Sequence, residues 1–372
     1  MPETFLSYRG TTITNGGVII MSVYDITGNV IAEKNDEVNA SIISLNKDVK
    51  DALIQAKRRN NDTMNGYLNA PQPLVLLHFS DIHGDSTELE RIIEFYNYYH
   101  DSIDDVICTG DMVEHRFSEG MTWWDAVEGS ENILTCIGNH DALADTSGYD
   151  WTNLATEANQ YSQYFAPYIS NWGCTYTAGK TYYYKDYTAK NVRLIVVNCM
   201  LTGNDDAAQK TWFESALSGA KTAGLSVVIA DHYIMSGQER VECNFSSIER
   251  APGTNALDSD YVDAVQSFVS DGGEFVCYIA GHVHVDYFAK SATYTNQTCI
   301  LIDAASVRQS NLYSDTQRTE GTKSQDLINL LVIDTASKAV KIIRAGADMD
   351  HYLRSKKQMT YKYLTGDIIA EN

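Results

Sequence analysis

An α/β domain is the fold class this chain predicts. Short runs rich in Val, Ile and Leu recur from Leu74 onward, amphipathic helical stripes lie between several of them, and five runs end in Asp, Asn or His. The runs are Leu74 to Phe79, Val106 to Cys108, Ile133 to Ile137, Leu194 to Val197, Val227 to Ala230, Phe275 to Ala280 and Cys299 to Ile302. Near-continuous apolar strands of this kind are covered on both faces. Thr87-Glu88-Leu89-Glu90 reads as a capping box, with Leu89, Ile92, Ile93 and Tyr96 as the buried stripe behind it. Trp212, Phe213, Ala216, Leu217 and Ala220 form a second stripe that stops at Gly224. Val262, Val265, Phe268 and Val269 form a third, ending at Gly272-Gly273, and Leu327 to Ile333 with Val340 to Ile343 read as a closing pair of strands.

Residues 1–70 read as an accessory segment. Val18 to Tyr24 and Asn29 to Glu33 suggest a hairpin, and Ile42, Leu45, Val49, Leu53 and Ala56 recur at helical spacing. That helix is expected to dock on the main domain, with self-association through 40–58 as the alternative. A polar, proline-ended linker, Asn60 to Pro73, sets a boundary near residue 70. The catalytic domain is expected over 71–346, and 347–372 as a tail packed on or near it.

The 372 residues carry a net charge of −21. Such a surface repels nucleic-acid backbones, so duplex DNA or RNA is disfavoured as a partner and a phosphorylated small molecule or locally captured substrate is favoured. No stretch is long and apolar enough to span a bilayer. Seven cysteines, without any C-x-x-C pair, sit mostly inside apolar runs, which favours free thiols and a cytoplasmic location.

The chemistry sits where the apolar runs end. They deliver, in order, Asp81-Ile82-His83, Gly110-Asp111, Gly138-Asn139-His140-Asp141, His232 and Gly281-His282-Val283-His284. Taken singly these are weak: Gly-Asp is commonly a turn, and a lone histidine is commonly a satisfied core residue. Five in succession at strand ends are another matter, because the C-terminal edge of a parallel sheet is where sites assemble. Oxygen and imidazole donors without thiolate suit Mn, Fe, Zn or similar divalent ions. Asp-x-His and His-x-His on extended backbone would place both side chains of each triplet on one face. Seven donors exceed one tetrahedral ion and suit two ions sharing a carboxylate; two metals about 3.5–4 Å apart promote in-line displacement at phosphorus.

On these blocks the chain, from about Leu74 to Ala345, resembles the calcineurin-like metallophosphoesterase superfamily. The resemblance implies a four-layer α/β/β/α sandwich with two facing mixed sheets. It implies that Asp81, His83 and His284 hold one divalent ion, that Asn139, His232 and His282 hold a second, and that Asp111 bridges them. A phosphomonoester or phosphodiester would then be hydrolysed by attack of a metal-bridging hydroxide, with His140 stabilising the transition state or protonating the leaving oxygen and Asp141 orienting it. The alternative is a metallophosphoesterase-fold scaffold or a component of a larger assembly with little activity.

Other residues carry softer expectations. Asp85 and Glu114 could support the ligands from behind, His115 could contact phosphate, and Arg308 could bind a substrate anion. His78 is expected in a strand core. The aromatic stretch from Tyr149 to Tyr187 is expected to pack an insertion against the sheet, with stacking on a base or sugar as the alternative.

Overall fold

The computed structural model describes residues 71–114, 117–144, 150, 152–233, 259–284, 286–291, 294, 296–313, 317–322, 324–347 and 358–371, with three short strands at 7–9, 22–24 and 30–32. Those three, β1 (Ser7–Arg9), β2 (Ser22–Tyr24) and β3 (Val30–Ala32), form an antiparallel sheet in that order. The expected pairing of the 18–24 and 29–33 segments is thus present over its centre, with a third strand before it. The helical stripe at 42–56, the 40–58 association surface and the 60–70 part of the linker lie outside the described residues.

Sheet one begins with β4 (Leu74–Phe79), then helix α1 (Ser86–Tyr99), β5 (Asp105–Cys108), α2 (Phe117–Ala126) and β6 (Leu134–Thr135). Short helices α3 (Asn139–Ala142) and α4 (Glu157–Gln160) lead to the second sheet. Its elements are β7 (Thr175–Tyr176), β8 (Tyr183–Tyr187), β9 (Val192–Val196), α5 (Gly203–Ala223), β10 (Ser226–Ala230), α6 (Ser259–Ser270), β11 (Phe275–Ala280), β12 (Tyr287–Lys290) and β13 (Thr298–Leu301). After α7 (Val307–Tyr313) the chain returns to the first sheet with β14 (Leu327–Asp334), β15 (Ala339–Gly346), β16 (Gln358–Lys362) and β17 (Asp367–Glu371).

The two sheets have seven strands each, in the orders β17-β16-β15-β14-β4-β5-β6 and β12-β13-β11-β10-β9-β8-β7. Strands β4, β5 and β6 run parallel, as do β9, β10, β11 and β13. Within the tail expected over 347–372, β16 and β17 extend the first sheet, β16 antiparallel to β15 and β17 antiparallel to β16.

Alternation along the strands makes the layers. Leu194, Val196, Val228, Ala230 and Ile279 share one core with Leu330 and Leu331 of the other sheet. Ile195, Val197, Val227, Ile229 and Phe275 turn the opposite way, onto Phe213 and Leu217 of α5 and Val262 and Val265 of α6. Leu89, Ile92 and Ile93 of α1 cover the other sheet. This is the expected α/β/β/α order. Polar pins join the sheets: Tyr183 Oη donates to the Thr135 carbonyl at 3.0 Å and accepts its N–H at 3.1 Å, and the buried Arg344 guanidinium pairs with the buried Asp286 carboxylate. No helix among the described residues is long and apolar enough to cross a membrane, and the six described cysteines are free.

Two details differ from the sequence reading. The N-cap of α1 is Asp85, whose carboxylate accepts the Glu88 N–H at 3.1 Å, so the capping lies two residues before Thr87. Asp85 is therefore a helix cap rather than a support for the ligands. Glu88, freed from capping, is buried against the 318–326 loop. Burial, then the Asp326 charge, push its carboxyl up to about 8 although Arg318 and Arg91 oppose them.

The raised value sets a pH dependence. Stability linked to the Glu88 proton is present below the unfolded value of about 4.5 and is lost as pH rises through about 8. Glu88→Gln should therefore be more stable than the parent at pH 9 by at least about 1 kcal/mol, with the gap narrowing below pH 6. Urea unfolding at both pH values reads this out; a gap independent of pH would contradict it.

Candidate metal centre

The ends of β4, β5 and β6 face those of β10 and β11, and the turns beyond them lock together through backbone bonds. Asp81 N–H donates to the Gly110 carbonyl at 3.0 Å, His83 N–H to Asp111 at 3.0 Å, and Gly281 N–H to His232 at 3.1 Å. The sheets meet at Asp81, whose Oδ2 accepts the His282 N–H at 2.9 Å. This contact explains Gly281: a Cβ there would lie 1.8 Å from Ser80 Oγ and 2.3 Å from Asp81 Oδ2. Gly138 is constrained alike, since its Cβ would lie 2.2 Å from Asp111 Oδ1.

The ligand-type residues do not sit on extended backbone, contrary to the sequence reading. Asp81, His83, Asp111, His282 and His284 have φ of 54°, 48°, 52°, 71° and 50°. Left-handed backbone at a non-glycine residue costs of order 1–3 kcal/mol. The chain has left the strand before each of these residues, and the tight turns fold both members of each Asp-x-His or His-x-His triplet toward one point. Five such residues in one place are held only because the cross-turn hydrogen bonds over-determine them.

All seven expected ligands are brought together. Asp81, His83, Asp111 and His284 place one donor atom each within 4.8 Å of one another; Asp111, His232 and His282 do the same. Asp111 belongs to both groups. His284 Nε2 lies 3.2 Å from Asp81 Oδ1, His83 Nε2 3.3 Å from His284 Nε2, and His232 Nε2 3.3 Å from Asp111 Oδ2. Asn139 Oδ1 adds a donor 3.0 Å from His232 Nε2. Two donors bound to one ion at about 2.1 Å are separated by about 3.0–3.4 Å, so these spacings suit a shared cation.

The bonding pattern is consistent with that fit. His232 Nδ1 contacts the Thr109 carbonyl at 2.7 Å, which makes Nδ1 the donor and turns Nε2 toward two oxygen acceptors. Asp81 Oδ1 is buried, with His284 Nε2 3.2 Å away. His83 and His284 point their Nε2 atoms at one another. Such groups need a positive charge between them, a proton or a metal ion. Without a metal, burial opposes the His232 proton but the Asp111 charge carries it up to about 10. Burial, then the His232 charge, push His282 down to about 3. Burial would raise Asp81, yet the neighbouring imidazolium of His284 pulls it to about 2.

His140 stands at the mouth, its ring edge-to-face on His83 at 4.6 Å and its Nε2 3.9 Å from Asp111 Oδ2. Its Nδ1 meets the Glu114 backbone carbonyl. Asp141 does not orient it. Both Asp141 oxygens accept backbone N–H groups, from Val113 at 3.0 Å and Gly138 at 2.9 Å. The short helix α3 turns the Asp141 side chain back onto its own N-terminus, so Asp141 braces the turn that carries Asn139, and the Glu114 carbonyl sets the His140 tautomer.

Glu114 does lie behind a ligand, its Oε2 3.4 Å from His83 Nδ1, and Arg308 pairs with it at 2.7 Å. His78 is a core residue, its Nε2 2.9 Å from Thr109 Oγ1. His115 lies outside the described residues, as do Tyr149 and Trp151. Among the remaining rings of the aromatic stretch, Tyr164, Phe165, Trp172 and Tyr183 are buried in the shared core, and Tyr182 and Tyr184 pack on Trp212 of α5, as the packing interpretation expects. Sequence reasoning missed Gln309, whose carbonyl lies 3.4 Å from His284 Nδ1 and which no motif marks. Tyr233, directly after His232, lies beside the donor groups, its ring 4.2 Å from that of His282.

Fold and donor set together define a metallophosphoesterase. The model of the calcineurin-like phosphoesterase family matches residues 74–286, more than half of the chain, and the chain belongs to that family. Its fold is similar to that of a dimetal phosphatase from Danio rerio, at 10% identity and a TM-score of 0.52, over 78% of this chain and 99% of that one. A purple acid phosphatase from yellow lupin (Lupinus luteus) seeds aligns at 12% identity and a TM-score of 0.45, over 82% of this chain and 54% of that one. Comparison with curated proteins finds no match.

Gly281→Ala should displace Asp81 and weaken Mn2+ binding at least about tenfold in a calorimetric titration, because an added Cβ cannot share space with backbone-held oxygens. Unchanged affinity would show that Asp81 is not a ligand.

Proposed function

We propose that the protein is a binuclear metal-dependent phosphoesterase acting on a phosphomonoester or phosphodiester. The observation that carries this is the pair of donor groups sharing Asp111. In this reading Asp81, His83 and His284 hold one divalent ion, Asn139, His232 and His282 a second, and Asp111 bridges them. Two ions of the Mn, Fe or Zn type would supply Lewis acidity toward phosphoryl oxygens and a nucleophile at neutral pH.

The chain's own residues supply the rest. Carbonyls at Thr109 and Gln309 face the Nδ1 atoms of His232 and His284, which commits their Nε2 atoms to the centre. The backbone turns hold the donors before substrate arrives, so no reorganisation accompanies reaction. His140 is the proton donor to the leaving oxygen: its Nδ1–H is engaged by the Glu114 carbonyl, which leaves Nε2, at the mouth, as the atom that releases the proton. An acidic surface favours a small or locally captured phosphorylated substrate over duplex nucleic acid.

Turnover of a chromogenic monoester and diester by the manganese-loaded protein tests this reading. His140→Ala should lower turnover by about 10²–10⁴ with bound metal retained, while Asp111→Asn should abolish activity and reduce metal content. Loss of both metals in His140→Ala would remove its proposed role. Two bound metals with no turnover of any phosphorylated substrate would favour a scaffold.

A further inference from the structure

Glu114 lies between the metal-centre residues and solvent. Its Oε2 is 3.4 Å from His83 Nδ1, and 2.7 Å from an Arg308 guanidinium nitrogen on the outer side. Gln309 Nε2 donates to the same oxygen at 2.8 Å. One carboxylate therefore separates the guanidinium from a histidine of the cluster. The Arg308 side chain is 63% exposed, so an edge of its planar N–H fork remains open to solvent. An ion pair this exposed adds little to stability, and Glu114 is already fixed by Gln309.

The platform under Arg308 is firm. Ser310, two residues on, donates to the buried Asp303 carboxylate at 2.7 Å, and Asn311 Oδ1 accepts the Arg318 N–H at 2.6 Å. Leu312, one turn beyond Arg308 on the same helix face, is 65% exposed. On a chain of net charge −21, an anionic group arriving at this rim is repelled unless a fixed cation meets it. Divalent ions at the centre would meet one phosphate; they cannot also meet an anion carried on the far side of the ester.

We propose that Arg308 is a specificity-determining residue that receives a second oxyanion on the leaving group, a carboxylate or a further phosphate, while the ester phosphate occupies the Asp111-centred site. This rests on the phosphoesterase reading above. Glu114 holds one edge of the guanidinium and presents the other, whose two N–H groups match an oxyanion in bidentate fashion. Leu312 lies beside the apolar portion joining the two anionic groups.

Non-cleavable probes separate this from turnover. The manganese-loaded full chain is titrated calorimetrically with phenylphosphonate, 4-carboxyphenylphosphonate and 1,4-benzenediphosphonate. The second anion should tighten binding at least about tenfold in the parent, and the larger of the two gains identifies the oxyanion. That gain should fall below about threefold in Arg308→Gln and persist in part in Arg308→Lys, a point charge without the fork. Circular dichroism and manganese content check that the variants are folded and loaded. Equal affinities in the parent, undetectable binding of all three probes, or a gain that survives Arg308→Gln would overturn the proposal. A gain that depends on Arg308, together with no hydrolysis of any phosphoester, would instead overturn the phosphoesterase reading.

Discussion

The carboxylate of Asp111 organises the space between the two sheets. It is buried, contributes to both donor groups, and accepts the His140 N–H at 2.9 Å through Oδ1. Burial alone would raise its pKa; the cationic imidazole of His232 holds it well below the ordinary carboxylate range. A buried carboxylate kept ionised needs compensating positive charge. Two divalent ions would supply it, with the histidines then serving as neutral ligands.

That requirement accounts for features with no role in folding alone. The left-handed φ values at Asp81, His83, Asp111, His282 and His284 disfavour the folded chain and are concentrated at one place. Cross-turn hydrogen bonds and the close approaches at Gly138 and Gly281 impose that backbone. The sandwich beneath provides rigidity: two sheets share one core, and their parallel strands end opposite one another.

Much of this was legible in the sequence. Continuous Val, Ile and Leu runs marked β4, β9, β10 and β11 because strands buried on both faces leave no alternating pattern, and the Asp, Asn and His blocks stood at the ends of such runs. The pairing of the strands into two facing sheets was not readable from periodicity, since nothing in a buried run says which sheet it joins. That came from family resemblance. The conformation of Asp-x-His was misread because a triplet adjoining a strand looks like its continuation, whereas only the cross-turn hydrogen bonds force left-handed backbone there. Asp141 was misassigned for a related reason: a carboxylate beside a histidine suggests pairing, but a one-turn helix sends that side chain to its own N-terminus. Gln309 acts partly through its carbonyl, which carries no side-chain signature.

The proposed sharing of Asp111 by two metal ions is open to a direct structural test. Crystals grown with Mn2+ and measured at the manganese absorption edge test it most directly. Two anomalous peaks are expected, each about 2.0–2.2 Å from an Asp111 oxygen, one on the His83–His284 side and the other on the His232–His282 side. A single peak, or two peaks of which only one touches Asp111, would contradict it.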